Sequence, residues 1–293
     1  MRYRLNAERY LGELVQGEFR GSYFRRYLGD KNMHSLRTLF LNRIGVPESE
    51  NVTFENLDMI LEKTARTIPF ENLCIMENRT TDITPDNLID KILKRNEGGL
   101  CYELNTIFYL FLIENGFNAN LVRGIIFDPT VQQWSKTGRT HVTIIITHDN
   151  QQYVVDTGFG GNLPLKPVPL NGEIVKSGNG EFRIEKANSE YGNYLLYMKL
   201  KHKDDDWKLG YAFDSTRVVE NLSELNEVQK IILEHPESPF NKRPLVTKLT
   251  ERGNMILTDT SFTEKIDGNV QKKEIDSTMF QRLIRDRFGM ESG

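Results

Sequence analysis

Cys101 follows two glycines and opens a long apolar run, in Gly98-Gly99-Leu100-Cys101-Tyr102-Glu103-Leu104-Asn105. That pattern puts the thiol at the start of a helix, where free N–H groups and the positive end of the helix dipole favour the thiolate. A free thiol of pKa about 8.5 is only a few per cent ionised at neutral pH, and an adjacent imidazolium brings that value to roughly 3.5 to 7.5. His141, at the mouth of the apolar strand pattern Thr140-His141-Val142-Thr143-Ile144-Ile145-Ile146, is the candidate for that ring. Asp156 ends a second strand pattern, Tyr153-Val154-Val155-Asp156, ahead of Thr157-Gly158-Phe159-Gly160, and would fix the imidazole tautomer and stabilise its charged form. Cys, His and Asp in this order read as a nucleophilic thiol triad.

Each of the three also has an ordinary reading. A free cysteine is among the most buried residue types and usually fills a core. A lone histidine at a strand edge needs only a satisfied ring, and an aspartate before glycine commonly sits in a turn. Gly98 and Gly99 weigh against plain core packing at Cys101, because they permit a tight turn and close backbone approach by a ligand. Glu103 and Asn105 place polar groups in the same first turn. Cys74, within Leu73-Cys74-Ile75-Met76, is the internal contrast, since its apolar neighbours mark a buried filler.

The elements that must position these side chains fall into three stretches. From about Met33 to Asn115 the apolar spacing is helical, in LRTLFLNRI, NLDMILEKTAR, PDNLIDKILKR and ELNTIFYLFLIEN, the last stopped by Gly116. From about Phe117 to Val219 it becomes that of short strands, NANLVRGIIF, HVTIIIT, QYVVDTG, GEFRIEKA, YLLYMKLK and WKLGYAF, separated by turn signals, which implies a small antiparallel barrel or sandwich. Beyond Val219 come an amphipathic helix in NLSELNEVQKIILEH, strands around LVTKLT and MILTDTSFTEKI, and a terminal helix from Ser277 to about Phe288.

A chain of 293 residues with this apolar content supports two or three domains. Its net charge of −3 and pI near 6.0 argue against a general nucleic-acid binder. No apolar stretch reaches the length of a membrane span, and the first residues lack a signal core, so the expectation is a cytoplasmic protein with no membrane or nucleic-acid partner. With only two cysteines no disulfide framework is expected, and the five histidines show no metal-ligand spacing, so no metal is expected.

Four segments in order, Ile68-Pro69-Phe70-Glu71-Asn72-Leu73, Gly98 to Asn105, Thr137-Gly138-Arg139-Thr140-His141 and Val155 to Gly160, closely resemble the arylamine N-acetyltransferases. Pro236-Glu237-Ser238-Pro239-Phe240 resembles the start of that family's C-terminal region, and the likeness runs from about Leu36 to the C-terminus. The resemblance implies an α+β multidomain fold: a helical bundle over 36–117 carrying the nucleophile, a β-barrel over 118–220 carrying His141 and Asp156, and an interdomain helix with an α/β lid over 221–293. A papain-like core would hold the triad. It further implies acetyl-CoA as co-substrate, an arylamine or hydrazine acceptor, and a two-step transfer through an acetylated Cys101. By the same likeness Phe70 and Phe159 would line the acceptor pocket, and Thr137, Gly138, Gly158 and Gly160 would lie near the thiol end of coenzyme A.

Two departures from the family pattern stand out. Glu97 precedes the glycine pair where arginine is usual, and it is expected to be exposed or to meet a basic neighbour. Residues 1–35 are additional, and Tyr3, Leu5, Tyr10, Leu11, Leu14 and Val15 have roughly helical spacing, which predicts an added helix. Two other functions share the residue pattern: a papain-like or transglutaminase-like thiol hydrolase or acyltransferase using another donor, and a family member that only binds ligands. The oligomeric state is open at this level.

Overall fold

The computed structural model describes residues 35–290, so the helix expected within 1–35 lies outside the described residues. The helical part begins with α1 (Leu36–Arg43), started by Ser35, whose hydroxyl accepts from the Thr38 N–H at 3.1 Å. In α2 (Leu57–Thr67) the buried Leu57, Ile60, Leu61, Thr64 and Ala65 recur every three to four residues and form one face. After the two-residue strand β1 (Phe70–Glu71) come the short helices α3 (Leu73–Met76) and α4 (Pro85–Leu88), the latter running on as a widened turn over Ile89–Lys94. Helix α5 (Cys101–Glu114) is buried around nearly its whole circumference, which makes it the axis of the helical part. Phe40 stacks on its Phe111 at 4.4 Å, and Gly116 at φ +86° lets the chain turn away after it.

Strands β2 (Asn118–Asp128), β3 (Gln133–Trp134), β4 (His141–His148), β5 (Gln151–Val155), β6 (Val168–Pro169), β7 (Val175–Ser177), β8 (Gly180–Ser189), β9 (Gly192–Leu200) and β10 (Lys208–Val218) form one antiparallel sheet. Its order is β6-β5-β4-β2-β10-β9-β8-β7, with β3 beside β2, and it curls into a nearly closed barrel. Strand β4 is buried on both faces, and its alternation decides what each residue meets. Val142, Ile144 and Ile146 join the core around α5, whereas Ile145 joins the barrel core with Val122, Phe182, Leu196 and Phe213. His141 and Thr143 therefore share the face of Ile145, toward the barrel.

Helix α6 (Glu224–Glu234) leads to a second sheet of β11 (Leu245–Thr250), β12 (Gly253–Thr258), β13 (Ser261–Ile266) and β14 (Asn269–Glu274), closed by α7 (Ser277–Leu283) and a widened turn over Ile284–Phe288. Its order is β1-β11-β12-β13-β14, so the strand before the glycine pair is its first member, with Phe70 opposite Thr247. The sequence pattern shows neither end of this sheet. β1 is too short to have a period, and β14, Asn-Val-Gln-Lys-Lys-Glu, is exposed at every position. The helix expected from Ser277 starts there, with Asp276 capping the Met279 N–H at 2.8 Å. Among the described residues no helix is long and apolar enough to cross a membrane.

Candidate active site

Cys101 is the first residue of α5 and is 6% exposed. The helix start is held by Glu103, whose carboxylate accepts the Leu100 N–H at 3.0 Å. The two glycines before it serve the chain itself, which corrects the expectation that they admit a ligand. A Cβ on Gly98 would collide with the Pro69 carbonyl, and one on Gly99 would lie 2.8 Å from Glu103 Oε2. Gly158 has a comparable constraint on the opposite wall. A Cβ there would stand 2.6 Å from Cys101 Cα and 2.7 Å from Asn105 Nδ2, so glycine is what lets the chain after β5 approach the end of α5.

His141 and Asp156 meet across adjacent strands, with His141 Nε2 2.8 Å from Asp156 Oδ2. The other ring nitrogen is left for Cys101, with whose side chain the imidazole shares a hydrogen bond. The thiol also donates to the Thr140 carbonyl at 3.4 Å. Asp156 is saturated. Its Oδ1 accepts from Asn105 Nδ2 at 2.9 Å and from the Gly158 N–H at 2.8 Å, and its Oδ2 accepts from Tyr211 Oη at 3.0 Å as well as from His141. Asn105 is fixed in turn, donating to the Val142 carbonyl at 2.7 Å and accepting the Thr157 N–H at 2.8 Å.

Burial opposes charge on His141, but the Asp156 carboxylate, its hydrogen bond and the Cys101 side chain outweigh it and carry the imidazole up to about 10. Burial also opposes charge on Asp156, and the imidazolium with the donors from Asn105 and Gly158 holds its carboxyl below the usual range. Tyr211 is pushed well above an ordinary phenol by burial and by Asp156, so it stays a neutral donor. The arrangement is a buried imidazolium with a carboxylate on one side and a thiol on the other. Such a group can release a proton to a leaving sulfur and later collect one from an attacking amine.

These side chains open onto a cleft of about 1050 Å³, just beyond the roughly 300–1000 Å³ usual for small-molecule sites. Phe70, Phe159, Thr137, Gly158 and Gly160 all line it with Cys101 and His141. The Phe159 ring lies 5.2 Å from His141, and Phe70 meets Phe240, a further lining residue, edge-on at 5.6 Å. Gly138 is not part of the wall. At φ +71° it makes the turn that leads into β4, receiving no contact from a neighbouring side chain on the space a Cβ would fill. Glu97 meets Arg79 and Arg95, each at 3.6 Å, as expected of a carboxylate that had to be exposed or paired.

Sequence reasoning missed Tyr211 and Phe240. Tyr211 lies in the strand pattern WKLGYAF, and a tyrosine inside a barrel needs a hydroxyl partner, but which one depends on how β10 and β2 pair. Phe240 sits in the Pro-Glu-Ser-Pro-Phe segment already singled out, yet only the fold brings it to Phe70.

A helix-borne thiol faces an imidazole and a carboxylate on a barrel wall, an arrangement that serves acyl-transferring and hydrolytic thiol enzymes alike. The sequence profile of the family described as N-acetyltransferase matches residues 53–292. The chain is 33% identical over 249 residues to the probable arylamine N-acetyltransferase 3 of Dictyostelium discoideum, covering 76% of this chain and 81% of that one. The crystal structure of arylamine N-acetyltransferase C from Bacillus anthracis superposes with a TM-score of 0.83 at 40% identity, covering 88% of this chain and 99% of that one. The NAT3 arylamine N-acetyltransferase of Bacillus cereus does so with a TM-score of 0.83 at 41% identity, covering 89% and 100%, and its triad is Cys-His-Glu. This chain belongs to the arylamine N-acetyltransferase family.

Proposed function

We propose that the protein moves the acetyl group of acetyl-CoA to the nitrogen of arylamines and arylhydrazines by a ping-pong route, with Cys101 as nucleophile, His141 as acid and base, and Asp156 as its anchor. The observation that carries this reading is the hydrogen-bonded Cys101, His141 and Asp156 set, open to a cleft walled by Phe70 and Phe159. In the first step the Cys101 sulfur bonds to the acetyl carbon while the bond to the coenzyme A sulfur breaks, and that sulfur takes the proton of the His141 imidazolium. Exchange of one thioester for another keeps the acyl-transfer potential. In the second step the amine nitrogen attacks the acetyl carbon, the neutral imidazole takes its proton, and the Cys101 sulfur departs as a thiolate beside the restored imidazolium.

Aromatic amines suit this site because they are weakly basic, stay neutral at pH 7, and offer a ring face to Phe70 and Phe159. Thr137, Gly158 and Gly160 would border the donor's thiol end. Lys201, Lys203 and Lys265 also line the cleft and complement the phosphates of coenzyme A. The reaction would take place in the cytoplasm, where acetyl-CoA is made and used.

Incubation with acetyl-CoA, followed by peptide mass analysis, tests the reading directly. An acetyl increment on the Cys101 peptide that disappears when an arylamine is added is expected. Peptide cleavage without use of acetyl-CoA would replace the acetyltransferase with a thiol hydrolase.

A further inference from the structure

A second buried charged cluster lies beneath the start of α5, outside the cleft. Lys91, on the widened turn after α4, is 5% exposed, and its Nζ lies 2.5 Å from Glu103 Oε1 and 3.6 Å from Glu71 Oε1. Glu103 is the residue that caps α5 through the Leu100 N–H. Glu71 belongs to β1, where its Oε2 accepts the Leu73 N–H and its N–H donates to the Gly99 carbonyl at 3.0 Å. Its Oε1 is buried without a hydrogen-bond partner, and Lys91 is the cation it faces. One ammonium group thus joins the helix that presents Cys101 to the strand that presents Phe70.

We propose that Lys91 is a positioning residue for the reaction: its buried charge locks Glu103 and Glu71 in place and cancels a carboxylate that would otherwise oppose negative charge on Cys101. This rests on the reading of Cys101 as the nucleophile. The groups facing Lys91 are Glu103, Glu71 and Cys74, with Glu97 beyond Glu71. Burial disfavours charge on Lys91, and Glu103 and Glu71 outweigh it, so the lysine is held protonated. Burial pushes the Cys74 thiol up to about 12, which leaves it neutral. Burial also raises the Glu71 carboxyl, against the pull of Lys91. Glu103, at 2.5 Å against 3.6 Å for Glu71, is the nearer of the two carboxylates and the one that Lys91 chiefly answers. Removing the cation leaves a bare carboxylate in the first turn of α5, where it repels a neighbouring thiolate.

The test is a double-mutant cycle of Lys91→Met and Glu103→Gln in the full chain, read by iodoacetamide labelling of the Cys101 peptide across pH, with thermal melting alongside. Lys91→Met is expected to slow Cys101 labelling at pH 7 about tenfold and to move its pH profile up by about one unit. Lys91→Met/Glu103→Gln, in which the glutamine still caps Leu100, is expected to return both to within about threefold of the parent. A purely structural lysine would lower the melting temperature and leave the labelling profile in place, and that result overturns the proposal. If Lys91→Met alone fails to fold, a folded double variant with the parental profile supports the proposal, and a double variant that also fails overturns it. A parent whose Cys101 labels no faster than a simple thiol would instead overturn the nucleophile assignment, and this inference with it.

Discussion

Cys74 and Cys101 are almost equally enclosed, at 4% and 6% exposure, and they sit in chemically opposite places. The Cys74 thiol donates to Glu97 Oε2 at 3.3 Å and has Glu71 and Glu103 nearby. Burial and those carboxylates push it up to about 12 against the pull of Lys91, so it persists as a neutral thiol. Cys101 faces an imidazole that Asp156 keeps protonated, at the N-terminal end of a long helix. Enclosure alone thus does not distinguish the two thiols; their neighbours do, with carboxylates around Cys74 and an imidazole beside Cys101. The aspartate behind the imidazole makes the difference durable, because four donors fix its two oxygens.

The strongest way to break the comparison is to exchange the sulfur for oxygen at each position. Cys101→Ser is expected to lower acetyl transfer by at least about a thousandfold, while Cys74→Ser changes it by less than about threefold, both measured as release of free coenzyme A. The next effect concerns the anchor. Asp156→Asn keeps the shape but loses the charge that holds the imidazolium, and kcat should fall by about a hundredfold or more. Tyr211→Phe removes one of the four donors, and the expected fall in kcat is only about three- to tenfold, with KM little changed. A larger loss for Tyr211→Phe than for Asp156→Asn would contradict the assignment of the carboxylate as anchor.

The smallest effect sharpens the electrostatic side. In a Cys101→Ser background no thiol proton is exchanged, and the proton on His141 can be followed alone. Asp156 and its hydrogen bond still raise the folded pKa above the ordinary 6.5 once the Cys101 share of that rise is gone, so the stability His141 contributes is fully present below about pH 6.5 and is lost as pH climbs through the alkaline range. Melting temperatures of Cys101→Ser should therefore decline over that range more steeply than those of Cys101→Ser/His141→Gln. Parallel curves would show that the imidazole is not held charged.

The three side chains that meet at the cleft are legible in the sequence because each stands at the end of an element, where a short motif records the local geometry. Gly158 is legible as a turn residue, but its closeness to Cys101 Cα is a matter of how β5 and α5 dock. The glycines at 98 and 99 were open to misreading for the same reason. A sequence shows that a Cβ is absent, and only packing shows whether a ligand or the chain's own carbonyl takes the space. Tyr211 and Lys91 act across long sequence separations through single polar atoms, which leave no periodic trace. The curled sheet and its flanking helices follow from hydrophobic alternation, whereas β1 and β14, one too brief and the other wholly polar, do not.

The pairing of β1 with β11 has a bearing on how the site comes into being. Phe70 is anchored on one side by Gly99 and on the other by Thr247, so the aromatic wall of the cleft is finished only after the ribosome has passed residue 247. A nascent chain ending at the barrel would already contain thiol, imidazole and carboxylate and still lack the strand that fixes Phe70. The cleft is thereby completed only once the chain has been made through β11.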